Sequence, residues 1–136
     1  MPDPPQDVSQ KTVSSRGGDR SGLGQWGERK AAEYLQGQGY RLLDTRFRCR
    51  EGEIDLILVR EPYLCFVEVK LRKSAAFAQA REAVDYAKQE KLRAAAELYL
   101  VGHPTKLQPR FDVAEVYAPQ GVETVLPTIY HLENAF

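Results

Sequence analysis

Two adjacent stretches constrain the fold more than any other part of the chain: GEIDLILV at residues 52–59 and CFVEVKLR at residues 65–72. Both are rich in β-branched and large apolar residues, which predicts two consecutive strands. Each strand nevertheless carries charge in its middle, with Asp55 in the first and Glu68 and Lys70 in the second. Because a buried carboxylate without a partner is strongly destabilising, these charges need neutralisation wherever helices cover the sheet.

Alternation of side chains across a strand predicts where these charges point. Asp55 is expected on the face that also carries Ile57 and Val59, and Glu68 and Lys70 are expected together on one face of the next strand. The opposite faces are purely apolar: Ile54, Leu56 and Leu58 in the first strand, and Cys65, Val67, Val69 and Leu71 in the second. One interpretation is a divalent cation held by the two carboxylates with the lysine beside it. The other is a surface ion pair of Glu68 and Lys70 with Asp55 opposite.

The remaining pattern predicts a single domain in a chain of 136 residues. Residues 1–22, rich in Pro, Ser, Gly and Asp, are expected to form a disordered tail, and residues 23–136 the domain. The predicted elements are a helix at 23–37, strands at 40–49, 53–60 and 64–71, a long Ala-rich helix at 75–101, a strand at 110–118, and a shorter edge strand within 122–136 that Pro127 interrupts. This αβββαβ(β) order predicts an α/β fold with helices packed on a mixed sheet.

A third acid is predicted near the first two. Glu28 shares a helical stripe with Ala31, Ala32 and Leu35. A glutamate on a buried stripe is unusual, so this helix could deliver Glu28 to the acid cluster. The alternative is a glutamate at the end of the stripe that reaches water.

Two lysines lie close to the predicted apolar face of the long helix, with Lys91 near its centre and Lys88 at its border. That face is expected to consist of Ala80, Val84, Ala87, Ala95 and Leu98. Either the lysine stems pack on the sheet with their ammonium groups in water, or one of them contacts a phosphate or the acid cluster.

The segment TRFRCR predicts a stripe of arginines, because Arg46, Arg48 and Arg50 alternate along one strand face. Arg72 and Lys73 add charge directly after the acid-lysine strand. Guanidinium groups bind phosphate oxygens in pairs, which favours a nucleic-acid backbone as the partner. The alternative is a set of solvated strand edges that discourage aggregation. Lys plus Arg equals Asp plus Glu, so any such binding depends on a local patch and not on net charge.

Other features predict a cytoplasmic protein. The first residues lack the apolar run of a signal peptide, and no segment approaches the length of a membrane span. Cys49 and Cys65 match no CxxC spacing and are interpreted as reduced strand residues. His103 and His131 are interpreted as ordinary surface or loop residues.

Asp55, followed after twelve residues by Glu68-x-Lys70, resembles the PD-(D/E)xK nuclease motif, although Ile54 stands where the literal motif has proline. A longer ordered set of motifs resembles the YraN-like family, UPF0102, from about residue 22 to 136: GxxGE at 24–28, GY at 39–40, GEIDLI at 52–57, FVEVKxR at 66–72, AVxxxKxxxL at 83–92, RFDV at 110–113 and NAF at 134–136. Two further departures from the family pattern are Thr45 in place of the usual Asn and the lack of the usual glycine within AAFAQA.

The resemblance implies a restriction-endonuclease-like core related to Holliday-junction resolvases. It implies that Asp55 and Glu68 bind Mg²⁺ or Mn²⁺, that Lys70 is the motif lysine, that Glu28 completes the site, and that Lys88 is the lysine usual on the second helix. The implied function is a metal-dependent nuclease acting on phosphodiester bonds, on DNA in preference to RNA, and a homodimer is compatible with it. The alternative is a nucleic-acid-binding module that keeps the fold without efficient cleavage.

Overall fold

A five-stranded mixed sheet with one helix on each face forms the centre of the fold. The computed structural model describes residues 18–73 and 84–136. Its elements in chain order are α1 (Gly18–Gly37), β1 (Arg41–Cys49), β2 (Gly52–Arg60), β3 (Tyr63–Arg72), α2 (Tyr86–Gly102), β4 (Gln108–Tyr117), a 3₁₀ turn (Gly121–Glu123) and β5 (Thr128–Leu132). Within the described part of the chain, neither helix has the length and apolar character needed to cross a bilayer.

The strands follow one another in space in the order β1-β2-β3-β4-β5. Only β3 and β4 are parallel, and the other three neighbouring pairs are antiparallel. A parallel pair needs a crossover connection, and α2 lies within it. The predicted mixed sheet with helices packed on it, consistent with a restriction-endonuclease-like core, is therefore confirmed, and β5 forms the predicted edge strand after Pro127.

Each face of the sheet buries its own apolar cluster. On one face α1 packs against β2, β3 and β4 through the predicted stripe, with Ala31, Ala32 and Leu35 buried together with Trp26. On the other face α2 packs through four buried residues: Leu92, Ala95, Ala96 and Tyr99. Both faces are thus covered, so a charged side chain in the middle of β2 or β3 lies between helix and sheet and not in open water.

Successive side chains alternate between the two faces of the sheet along β3, but not along the whole of β2. In β3, Val67 packs in the α1 cluster and Phe66 in the α2 cluster, as predicted. In β2, Ile54 was expected beside Leu56 but packs in the α2 cluster instead. On the neighbouring strand, Arg46 has a left-handed φ of 54° and lies between Thr45 and Phe47, which pair with Leu56 and Ile54. Such a residue rotates the strand locally, so side chains before and after it no longer alternate regularly.

Both helix starts differ from the sequence prediction. α1 begins at Gly18 and so includes the last five residues of the predicted tail, 18–22; residues 1–17 lie outside the described residues. α2 was expected from residue 75, but Val84 and Asp85 precede it without helical structure, and residues 74–83 are outside the described residues. The Asp85 side chain accepts a hydrogen bond of 2.9 Å from the backbone N–H of Lys88, a helix N-cap that stops the helix from extending further back.

The predicted apolar face of α2 is also rotated. Ala87, Leu98 and Lys91 are exposed, whereas Leu92 and Tyr99 are buried. Lys91 therefore does not lie at the centre of the buried face. Alanines carry little information about orientation, and the large side chains decide which face the sheet accepts.

A buried polar network ties β4 to β5. Asp112 is fully buried and receives two hydrogen bonds from Arg110, at 2.9 and 2.8 Å, one from His131 at 2.8 Å and one from the Asn134 backbone N–H at 2.9 Å. Arg110 also donates to the Tyr40 hydroxyl at 2.8 Å. The interpretation of His131 as an ordinary surface residue is wrong, because its ring is a structural partner of a buried carboxylate.

Candidate active site

Asp55 lies where β2 and β3 separate. The two strands pair from Arg60 opposite Tyr63 to Leu56 opposite Val67, and their pairing ends there. Beyond that point the Asp55 Oδ2 accepts a hydrogen bond of 2.8 Å from the backbone N–H of Val69. The carboxylate thus takes the place of a strand carbonyl, which fixes Asp55 beside the residues that follow on β3.

Glu68 is the most buried of these acids, with 6% of its surface exposed. Its Oε2 lies 3.6 Å from Lys70 Nζ on the same strand and 3.5 Å from Lys88 Nζ on α2. Its Oε1 is buried and has no hydrogen-bond partner among the described residues. A buried carboxylate oxygen without a partner is costly and points to a ligand or a strained arrangement.

Glu28 lies where α1 approaches β3 closely, near enough for its charge to influence Asp55. A Cβ added at Gly27 would lie 3.0 Å from the Leu71 side chain, so glycine permits this approach. The Glu28 Oε1 accepts a hydrogen bond of 3.0 Å from Arg46 Nε, and each of these two side chains is only 15% exposed. Glu28 therefore faces β1 and already has one cationic partner, Arg46.

The acids influence one another electrostatically. Burial, together with the negative charges of Glu68 and Glu28, raises the pKa of Asp55 well above its ordinary value. Burial also raises the pKa of Glu28 from 4.5 to about 7; Arg46 opposes this shift, and Glu53 and Glu68 add to it. Asp55 and Glu28 are therefore both harder to ionise beside the neighbouring acids, which is the electrostatic condition that a bound cation relieves.

The donor set fits a hard divalent cation in its chemistry. All candidate ligands are carboxylate oxygens, which Mg²⁺ and Mn²⁺ prefer over the nitrogen and sulfur ligands of zinc sites. The unpartnered Glu68 Oε1 offers a free ligand position. As placed, however, no three His, Cys, Asp or Glu side chains within residues 18–73 and 84–136 form a group that could hold one metal ion.

The predicted arginine stripe does not form one free surface. Arg46 turns inward to Glu28, Arg48 Nε lies 3.4 Å from Glu53, and Arg50 lies in the turn after β1 with its Nε 3.5 Å from Glu51. The positive φ of Arg46 breaks the alternation on which that prediction depended.

Among the predicted basic residues, Arg72 and Lys88 each contact a buried glutamate, and Lys73 is exposed. Arg72, at the end of β3, donates from its Nε to the buried Glu115 at 3.0 Å. Lys73 is exposed directly after it. Lys88 contacts Glu68, which is one of the two outcomes expected of the helix lysines.

Sequence reasoning missed Glu53 and Glu115. Glu53 was given no role, yet its charge raises the pKa of both Asp55 and Glu28. Its signal was its position two residues before Asp55, on the strand that delivers the first acid. Glu115 is buried beside Arg72, and a lone glutamate in RFDVAEVYA gives no indication of that partner.

Comparison with known proteins supports the predicted relationship. The sequence profile of the family described as "Uncharacterised protein family UPF0102" matches residues 27–116. A UPF0102 protein of Caldanaerobacter subterraneus subsp. tengcongensis is 43% identical over 116 residues, covering 84% of this chain and 93% of the relative. A UPF0102 protein of Acetivibrio thermocellus is 40% identical over 121 residues, covering 87% and 93%. A third, from Chlorobium chlorochromatii, is 41% identical over 116 residues, covering 84% and 90%. The predicted YraN-like relationship is therefore confirmed, and the chain belongs to the family UPF0102.

Proposed function

We propose that this protein is a metal-dependent nuclease that hydrolyses phosphodiester bonds. The observation that carries the proposal is the arrangement at the β2–β3 separation: Asp55 beside the Val69 backbone, and Glu68 with one buried oxygen unpartnered and the other near Lys70. Buried carboxylates with a raised pKa, such as Asp55 and Glu28, next to a lysine are typical of sites that bind a cation and act on a charged substrate.

Asp55 and Glu68 would hold Mg²⁺ or Mn²⁺, with Glu28 as a third acid. When bound, such a cation polarises the phosphate and stabilises the negative charge that develops on it. Asp55 has one carboxylate oxygen engaged by the Val69 N–H, which leaves its Oδ1 for the cation. The hydrogen bond also orients the carboxylate, so that little reorganisation accompanies cation binding.

Lys70 would act on the attacking water or on the charge that builds up on phosphorus-bound oxygens. Its ammonium is 3.6 Å from Glu68, so it stands beside the proposed cation ligands while keeping 26% of its side chain exposed. A positioned ammonium can orient the nucleophile, accept its proton through water, or stabilise the transition state. Arg72, Lys73 and Lys88 would contact neighbouring phosphates of the same strand.

Cleavage assays with matched variants test this proposal. Full-length protein is incubated with branched, single-stranded and duplex DNA and with RNA, in Mg²⁺ or Mn²⁺. The expected result is cleavage that requires the cation and falls at least about 100-fold in Lys70→Met, with a similar loss in Asp55→Asn. Asn can still accept the Val69 hydrogen bond, so this loss would not reflect an unmade backbone contact. Absence of cleavage in every substrate would contradict the proposal.

A second function is favoured by one observation. Both Lys70 and Lys88 already lie within 3.6 Å of Glu68 Oε2, and two ammonium groups can compensate this carboxylate without a metal. The protein would then bind nucleic acid without cutting it efficiently. Retarded but intact nucleic acid, with equal retardation by Asp55→Asn, would support this function over the nuclease.

The proposal includes the setting in which the protein acts. We expect a cytoplasmic location and DNA in preference to RNA, since the family resemblance extends to enzymes that act on DNA junctions. Two symmetric cuts in a branched molecule require two sites, so a homodimer is also expected. Light scattering of the purified protein, with and without junction DNA, measures the mass directly.

A further inference from the structure

The ion pair of Arg46 and Glu28 joins the proposed phosphate-binding residues to the proposed cation ligands. Arg46 Nε lies 3.0 Å from Glu28 Oε1, and each of the two side chains is 15% exposed. A hydrogen bond between two charged groups is shorter and stronger than one between neutral groups. Because this pair is partly buried, dissolved salt screens it less than it screens a surface ion pair. Glu28 is therefore engaged by a guanidinium at the place where a cation would need its oxygens.

Arg46 also has N–H donors that no acceptor in the described part of the chain engages. Its Nη1 is buried and has no hydrogen-bond partner among the described residues. A guanidinium carries five N–H donors, and a phosphate group can accept two of them at once. The φ of 54° at Arg46 turns its side chain toward α1 and not outward along the strand. The backbone thus holds this arginine against Glu28, with donors still to be satisfied.

We propose that Arg46 and a bound cation compete for the Glu28 carboxylate, and that a nucleic-acid phosphate completes the cation site by taking Arg46 away. This inference rests on the proposed function and adds a coupling to it. With no phosphate present, Arg46 neutralises Glu28 and the cation is held by fewer ligands. With phosphate bound to Arg46, Glu28 is released toward the cation.

The coupling has a thermodynamic consequence. If phosphate binding strengthens cation binding, the cation must strengthen nucleic-acid binding by the same factor. A factor of about tenfold is expected, within the usual range of coupling between two sites. A cation would then be retained mainly in the presence of substrate.

Calorimetric titration of Mn²⁺ into the full chain, without nucleic acid, tests the competition. Arg46→Met frees Glu28 and is expected to bind Mn²⁺ about tenfold more tightly than the wild type. Arg48→Met removes the same charge from the same strand, but its partner Glu53 is more exposed at 25%, so its Mn²⁺ affinity should change by about twofold or less. Equal gains in both variants would show a general charge effect and overturn the competition.

A double-mutant cycle identifies Glu28 as the group that Arg46 withholds. In the Glu28→Gln background, Arg46→Met should give no further gain in Mn²⁺ affinity. A gain that persists there would overturn the assignment. Should Arg46→Met fail to fold, as judged by circular dichroism, Arg46→Lys replaces it and should show a smaller gain, because a lysine lacks the Nε donor that engages Glu28.

Nucleic-acid binding tests the reciprocal effect. Anisotropy of a short fluorescent single-stranded DNA is measured with and without Ca²⁺, a hard cation with the same preference for oxygen ligands. Ca²⁺ should tighten DNA binding about tenfold in the wild type and about twofold or less in Arg46→Met. An equal Ca²⁺ effect in both proteins overturns the coupling. If no protein in the set binds Mn²⁺, the proposed function fails; if the wild type binds Mn²⁺ and Arg46→Met binds it no more tightly, the coupling alone fails.

Discussion

The Asp55 carboxylate bonds to the backbone N–H of Val69 at 2.8 Å, across the gap that opens between β2 and β3. The same group is thus a structural link between two strands and a proposed cation ligand. Its pKa is raised by burial and by the neighbouring charges of Glu68 and Glu28. Substitutions at Asp55 must therefore separate these roles, which is why asparagine, which keeps an acceptor oxygen, is more informative than alanine.

Asp55→Asn should stabilise the metal-free protein and abolish its cation binding. Removing one of several mutually repelling charges is expected to raise the free energy of unfolding near neutral pH by on the order of 1 kcal/mol. Urea denaturation in the presence of a chelator measures the gain in stability, and Mn²⁺ calorimetry measures the loss of cation binding. The matched control is Asp44→Asn, because Asp44 also has a pKa raised by burial but lies outside the acid cluster. Asp55→Asn with wild-type Mn²⁺ affinity would contradict the assignment.

Stability in chelator should fall as pH rises from about 4.5 to about 7. The pKa of Glu28 is raised from 4.5 to about 7, chiefly by burial. An acid with a raised pKa in the folded state keeps its proton longer there than in the unfolded chain, so the folded state binds more protons within this window. The stabilisation is complete below pH 4.5 and is lost as the pH passes through the folded value. Glu28→Gln should flatten this slope, and an unchanged slope would contradict the shift.

Asp112 should make stability depend on pH in the opposite sense to Glu28, with stability falling as the pH becomes acid. Burial alone raises its pKa, but hydrogen bonds from His131, Arg110 and the Asn134 N–H outweigh burial and lower the pKa below 3.8. Its contribution to stability is therefore present above pH 3.8 and is lost as the pH falls below that value. Asp112→Asn should lower the free energy of unfolding at neutral pH by about 3 kcal/mol, because it leaves buried Arg110 with only the longer of its described ion pairs, to Glu133 at 3.8 Å. Thermal melts of both proteins across this pH range test the sign.

Lys88→Gln should weaken nucleic-acid binding through one phosphate contact. The slope of the logarithm of the binding constant plotted against the logarithm of salt concentration should become shallower by about one unit. The control is Lys106→Gln, since Lys106 is exposed after α2 and has no proposed role. A salt dependence that is identical for Lys88→Gln and wild type would place Lys88 in a purely structural pair with Glu68.

The sequence was sufficient to predict the sheet and its two buried faces, because period-two alternation in β3 and the stripe through Ala31 and Leu35 follow directly from covering both faces of a sheet. It was insufficient at Arg46, since nothing in the letters TRFRCR distinguishes a left-handed arginine from an extended one. That φ turned Arg46 inward to Glu28 and so broke the predicted arginine stripe.

Long-range partners were also beyond sequence reasoning. Asp112 and His131 meet only because β4 and β5 pair, and neither residue carries a local signal of the contact. In α2, propensity correctly indicated a helix, but the Ala-rich segment could not indicate that Asp85 caps it or that Tyr99 sets the buried face.

The two cysteines differ in exposure, so a thiol-reactive label can distinguish them in the folded protein. Cys65 is fully buried, and burial raises the pKa of its thiol to about 12, so it should resist alkylation while the protein is folded. Cys49, at the end of β1, is partly exposed. A thiol-reactive fluorophore should therefore attach at Cys49 alone, a few residues from Arg46, and could signal the arrival of a nucleic-acid strand without any engineered residue.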